Sequence, residues 1–108
     1  MDESFKECMK ACWECVQACN HCYDAALKEE APGKKVDVIR LTQECASVCA
    51  YSAEAIARHS LFTEEIGALC AVICESCGNE CKKHKAAYCK TCATKCLECA
   101  EKCRKLGA

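Results

Sequence analysis

Small and apolar residues recur at gaps of three and four along nearly the whole chain, with Lys, Glu, Asp, Gln and Asn between them. That is the period of an amphipathic helix, whose buried stripe returns at i+3, i+4 and i+7. Ser4 opens "SFKE", which reads as a capping box with Glu7 and predicts a first helix from about Phe5 to Glu30. "APG" at 31–33 ends it, because Pro32 cannot continue the hydrogen-bond ladder and Gly33 accepts turn geometry. A second helix is predicted from about Lys35 to Arg58. Ser60 reads as the cap of a third, from about Leu61 to Lys83, and a fourth runs from about Ala87 to Leu106. The boundary between the last two carries the weakest signal, since "KKHKAAY" has neither Pro nor Gly. The stripes on either side differ by only about 50° if one helix is continued. A single long helix would leave its stripe open to water, whereas four of similar length close into a bundle with short loops. The break is therefore placed at His84–Ala86. The expected fold is all-α, an antiparallel up-down four-helix bundle forming one domain over residues 1–108.

The stripe is made of cysteine. The first helix carries Cys8, Cys12, Cys15, Cys19 and Cys22, the second Cys45 and Cys49, the third Cys70, Cys74, Cys77 and Cys81, and the fourth Cys89, Cys92, Cys96, Cys99 and Cys103. All sixteen fall on the seam where Leu, Ile and Val would normally sit, and none on an outer face. Counting along antiparallel helices gives approximate layers. Cys8 and Cys103 share one end with Ile56 and Ile66. Cys12, Cys70 and Cys99 follow, near Ser52. Cys15, Cys49, Cys74 and Cys96 form the middle, then Cys19, Cys45, Cys77 and Cys92. Cys22, Cys81 and Cys89 close the other end with Leu41 or Val38.

Composition and charge narrow what such a seam does. Net charge is −1 with both signs interspersed, so neither nucleic acid nor a membrane surface is an expected partner. No apolar run is long enough to span a bilayer. "MDESFKEC" is polar and acidic, unlike a secretory signal, so a cytoplasmic location is expected unless a leader has been removed. In that reducing compartment, cysteine at this density points to metal or redox work rather than a disulfide scaffold. Helical i,i+4 neighbours are also too far apart for good disulfides, about 5–6 Å between Cβ atoms against about 3.5–4.5 Å. Packing alone accounts for one or two buried thiols. A seam of sixteen would under-fill a bundle, so something else is expected on the axis.

Thiolates are soft ligands, which leaves Cu(I), Zn(II) and iron–sulfur clusters as candidates. Zinc sites draw four ligands to one point and usually come from knuckles in turns. Cluster cysteines come mainly from loops. A continuous column fits neither pattern well. If four thiolates held each zinc, sixteen thiolates would keep a large uncompensated negative charge in the core. Cu(I) accepts two sulfurs and each thiolate bridges two ions, so about one Cu(I) per Cys makes the tube nearly neutral.

The stretches "CMKACWECVQACNHC", "IRLTQECASVCA", "ICESCGNECKKH" and "YCKTCATKCLECAEKC", which span nearly all of the chain, resemble the bacterial copper storage proteins, cysteine-lined four-helix bundles. Lacking an evident leader, the chain looks like their cytosolic branch. The resemblance implies binding of multiple Cu(I) ions inside the bundle, a storage or detoxification role, a homotetramer or other homo-oligomer, and a small cytosolic copper chaperone as partner. That family often has Cys where Val38 stands and His where Tyr88 stands, so only His84 of a His-rich mouth is kept.

His84, beside Cys81 and Cys89, reads either as a ligand passing Cu(I) inward or as a solvated helix-end imidazole favoured by the dipole. His21 is off the stripe and reads as surface, His59 as a cap or surface residue, and Met1 and Met9 as at most weak copper ligands, with Met9 off the seam. Trp13 borders either a neighbouring helix, the preferred reading, or a subunit interface. Phe5, Ile56, Phe62, Ile66 and Leu106 read as a hydrophobic plug at one end, which would leave the end with His84, Asp24 and the lysines as the mouth. Two other functions compete with a copper store: a zinc-binding structural module and a thiol-disulfide redox enzyme. Against catalysis, no Ser–His–Asp set, paired catalytic carboxylates or phosphate loop is visible.

Overall fold

Residues 2–107 are described by a computed structural model. It contains four α-helices: α1, Glu3–Leu27; α2, Val36–Ala57; α3, Thr63–Lys82; and α4, Ala87–Gly107. No strand occurs among the described residues. Each helix packs on its two chain neighbours, and α4 returns to pack on α1, so the four close around one axis with α1 across from α3. The body is rod-shaped, 45 × 18 × 18 Å between Cα extremes. The core is this axis, and its largest fully buried aliphatic side chains are Ile56 and Val38.

The helix ends differ from the sequence expectation by a few residues, for identifiable reasons. Asp2, not Ser4, caps α1: its Oδ1 accepts from Ser4 N–H at 2.7 Å, and its carbonyl accepts from Phe5 and Lys6. An Asp two residues upstream satisfies the first-turn amides and also suits the positive end of the dipole. At its other end α1 stops at Leu27, short of Glu30. Ala31 leaves the helical region ahead of Pro32 (φ −125°, ψ 71°), as the proline ring favours, and Pro32–Lys35 form a 3₁₀ turn that delays α2 to Val36. Ser60 does act at the start of α3, but it caps a turn: its Oγ accepts from Phe62 N–H at 3.0 Å, and the helix begins only at Thr63. The α2 end is closed by His59 in the left-handed region (φ 54°), with Ser60 N–H bonded to Ala55 O at 3.0 Å. The break between α3 and α4 falls where expected, with α3 ending at Lys82 and α4 starting at Ala87.

Close approach of α3 and α4 depends on Gly78, where an added Cβ would lie 2.7 Å from Leu97 Cγ. Across the surface, Lys95–Glu14 and Lys102–Glu7 tie α4 to α1, and Arg104–Glu75 ties α4 to α3. Exposed pairs of this kind add little each. Trp13, expected to border a neighbouring helix, is 50% exposed. The plug needs one correction. Ile56, Ile66 and Leu106 are buried and Phe5 is half-buried against the core, but Phe62 is 60% exposed. It falls in the turn before α3 rather than in a helical stripe.

Candidate metal centre

Every one of the sixteen cysteines is 0% exposed, and all are free thiols. The 3.6-residue period delivers this. Gaps of three and four keep each thiol on the inner face, and antiparallel packing brings the faces together. On α2 the same stripe reads Val38, Thr42, Cys45, Cys49, Ser52, Ile56, all fully buried. The α1 wall is lined with thiols along most of its length, the α3 wall from Cys70 onward after Ile66, and the α4 wall up to Leu106, while α2 supplies thiols only in its middle. The buried hydroxyls are satisfied locally: Thr42 Oγ1 donates to Val38 O and Ser52 Oγ to Val48 O, both at 2.7 Å. Thr42 was not legible as a core residue from its type.

The sulfurs touch in a chain along the axis. Cys8 and Cys103 are 3.2 Å apart at one end, and Cys103 is 3.5 Å from Cys70. Cys49 lies 3.4 Å from Cys74 and 3.8 Å from Cys99, and Cys45 lies 3.6 Å from both Cys74 and Cys15. Cys19 lies 3.6 Å from Cys96 and 3.8 Å from Cys92. The axis expected to be under-filled is therefore occupied by sulfur in contact with sulfur. Nor are the layers flat. Sets whose Sγ atoms all lie within 4.8 Å of one another include Cys12/Cys49/Cys70/Cys99, Cys15/Cys49/Cys74/Cys99, Cys15/Cys19/Cys45/Cys96 and Cys19/Cys77/Cys92/Cys96. Cys49 thus joins the neighbours expected one layer away, and Cys96 sits with Cys19 as well as Cys15. Side chains tilt toward each helix's N-terminus, so antiparallel walls interleave rather than align. Each set could hold a metal ion, and consecutive sets share members.

Shared protons accompany shared sulfurs. Donation from Cys103 and Cys12 to Cys8 holds its thiol down, to about 5. Bonds to the neighbouring Cys12, Cys15 and Cys45, with burial, push Cys49 up. Burial is the main cause that raises Cys89. One thiolate among donors is stabilised, and a second beside it is opposed, so the column holds few charges until a cation enters.

The remaining candidates sit outside this column. His84 Nε2 is 3.0 Å from Glu80 Oε2 at the end of α3. His21 and His59 are exposed, as expected. Met9 is half-buried against the core, and Met1 lies outside the described residues.

Comparison with known proteins gives the family directly, since the model of the copper storage proteins matches residues 1–108. This chain belongs to the copper storage protein family. Among its relatives is a cysteine-rich protein of Bacillus subtilis, YhjQ, 44% identical over 108 residues and covering 100% of both chains. The Cu(I)-bound copper storage protein BsCsp3 superposes with a TM-score of 0.93 at 44% identity, covering 98% of this chain and 100% of that one. A cytosolic copper storage protein from Streptomyces lividans, loaded with five coppers, gives a TM-score of 0.94 at 33% identity, covering 97% of this chain and 92% of that one. The four-helix fold of this chain is therefore common to it and to copper-loaded structures of the family.

Proposed function

We propose that this chain stores Cu(I), many ions at a time, on the cysteine thiolates inside its bundle, and that it does so in the cytoplasm, without catalysis. The observation that carries the reading is the column of sixteen buried thiols along one axis, with overlapping sets close enough to hold metal ions. The ligands would be Cys8, Cys12, Cys15, Cys19, Cys22, Cys45, Cys49, Cys70, Cys74, Cys77, Cys81, Cys89, Cys92, Cys96, Cys99 and Cys103. Overlap of the sets favours bridging: a thiol that belongs to two of them, such as Cys49 or Cys15, serves both only by linking two ions. Four-thiol sets also match zinc in number. Separate zinc sites would compete for the shared sulfurs, and tetrathiolate zinc would leave two negative charges per ion in a fully buried core. Monovalent copper has neither difficulty.

His84 is proposed as an accessory ligand at the mouth. A carboxylate on the opposite ring nitrogen orients and strengthens a ligating imidazole, and Glu80 is in place to do this. The cytosolic description of the Streptomyces lividans relative supports the location, and no described helix is long and apolar enough to cross a membrane. Homo-oligomers and a small copper chaperone as donor belong to the same reading.

An anaerobic Cu(I) titration of the reduced protein against a chromophoric Cu(I) chelator, with thiols counted in parallel, tests it. Tight uptake approaching about one ion per thiol is expected. Saturation at a few ions would return the zinc and redox readings.

A further inference from the structure

Cys22, Cys81 and Cys89 are the last thiols at the end where α1 and α3 finish and α2 and α4 begin, yet each is 0% exposed. Ligand exchange needs contact between a sulfur and the incoming complex, so whatever covers these three must move before Cu(I) can pass. Beside Cys89 and Cys22 lies a cluster of three side chains from separate segments. Tyr88, in the first turn of α4, packs against the core, and its Oη donates to Glu29 Oε1 at 2.5 Å. Lys35 Nζ donates to Glu29 Oε1 at 2.8 Å and Oε2 at 2.7 Å, and lies 5.9 Å from the centroid of the Tyr88 ring. Glu29 and Lys35 flank the Pro32 turn, so the cluster fastens the whole α1–α2 connection to α4.

The other charged pairs at this end do not join elements in this way. Asp24–Lys28 lies along the end of α1, and Glu80 pairs with Lys83 and His84 beside its own helix. Lys35 and Glu29 are also the more shielded pair, with side chains 15% and 32% exposed against 75% and 62% for Lys28 and Asp24. A two-pronged ammonium–carboxylate contact with a phenol on the same oxygen is a set of charge-assisted bonds, shorter and stronger than neutral ones. The segments it joins are connections between helices, the parts of a bundle that open most readily.

We propose that Glu29, Lys35 and Tyr88 form a latch over the Cys22–Cys89 end and set the rate at which Cu(I) reaches and leaves the first thiols. The latch acts on the Cu(I) store proposed above and rests on that reading for its role. Its existence does not, because closure can be measured without copper.

The test uses the metal-free, fully reduced protein, alkylated briefly with iodoacetamide and read thiol by thiol by peptide mass spectrometry. Tyr88→Phe keeps the ring and removes the bond to Glu29, and Glu29→Gln removes the charge that Lys35 holds. Asp24→Asn, at the same end but outside the cluster, is the control. Both latch variants should speed labelling of Cys22 and Cys89 roughly tenfold, the factor expected for one charge-assisted hydrogen bond, with Cys8 and Cys103 unchanged. Uptake from a chromophoric Cu(I) complex should quicken in the same variants at unaltered capacity. Unchanged labelling, equal acceleration at all thiols, or the same effect from Asp24→Asn would overturn the latch. Accelerated labelling at Cys22 and Cys89 in a protein that retains no copper in any variant would uphold the latch and sink the storage reading instead.

Discussion

Replacing both thiols of α2, Cys45 and Cys49, by serine should remove more copper than the two ligands deleted. Cys49 Sγ lies 3.4 Å from Cys74, 3.8 Å from Cys99 and 3.9 Å from Cys70. Cys45 Sγ lies 3.6 Å from Cys15, 3.6 Å from Cys74 and 3.9 Å from Cys96. Together the two belong to Cys12/Cys49/Cys70/Cys99, Cys15/Cys49/Cys74/Cys99 and Cys15/Cys19/Cys45/Cys96. They bridge the α3 wall to the α1 and α4 walls. If capacity is about one ion per thiol through bridging, deleting them should cost about three or four ions. Deleting the terminal pair Cys8 and Cys103 should cost about two. The fold should tolerate the change, because a serine hydroxyl on this helix can bond the carbonyl four residues back, as Ser52 and Thr42 already do at 2.7 Å. A cost of about 1 kcal/mol per site follows, or roughly 2 kcal/mol of a stability usually about 5–15 kcal/mol. The melting temperature should fall by about 8–16 °C, read by circular dichroism on the metal-free chain. Copper is counted by the chelator titration. Equal losses from the two double variants would refute the bridging argument, since each thiol would then act alone.

Three further expectations test the frame around the column. Gly78→Ala should destabilise the metal-free chain by about 1–3 kcal/mol in urea, because its Cβ would meet Leu97 Cγ at 2.7 Å and Cys96 Cβ at 3.2 Å. Adding Leu97→Ala should recover part of the loss, and simple additivity would refute the clash. Ile56→Ala should cost about 2–5 kcal/mol yet leave copper capacity unchanged, as befits a plug; lost capacity would mean that Ile56 shapes the thiol column rather than closing its end. The pH profile of metal-free stability sums many interacting thiols, of which Cys89 and Cys8 illustrate the two signs. Cys89 is raised by burial, so its contribution is full below the free-thiol value of about 8.5 and is lost as pH rises through its folded value. Cys8 is held down to about 5, so its contribution is present above about 8.5 and is lost as pH falls through 5. Thermal melts should therefore show a maximum near pH ~8.5, and a maximum below pH ~6 would refute the assignment.

The seam was legible because one residue type repeats at one period. Sixteen cysteines at gaps of three and four can lie only on one face of each helix, and each is buried as that rule requires. The break at His84–Ala86 was legible from the geometry of closure rather than from any breaker residue. Stagger was not. Counting residues places helices in register to within about a layer, but interleaving depends on side-chain tilt and on close approaches such as Gly78 against Leu97. Phe62 misled because it is apolar and adjacent to a stripe, while the Ser60 turn carries it outside the helix. As a cluster, Glu29, Lys35 and Tyr88 offered no signal, although Tyr88 stood out as a departure from the family's His. They are ordinary surface types, spaced without period, and only the fold brings the turn after α1 against the start of α4.

Sulfurs in contact alter what loading must accomplish. A metal-free tube with open space on its axis would have to hold itself apart against an under-packed core, whereas here neighbouring thiols already touch at 3.2–3.9 Å with their protons between them. A Cu(I) ion carries the charge of the proton it displaces. Exchange of one for the other between two sulfurs leaves the core's net charge unchanged at every stage of filling. A divalent ion bound by four thiolates displaces four protons with two charges, and the deficit grows with each ion in a fully buried core. A neutral exchange has no preferred stopping point, so occupancy can follow supply over the whole column, as a store requires. The mixed stripe of α2 fits the same logic. Val38 and Ile56 are buried toward opposite ends, and Thr42 and Ser52 have hydroxyls committed to backbone carbonyls. They line the α2 side of both ends with groups that have little affinity for a soft cation, so toward each end the thiols come from the other helices alone.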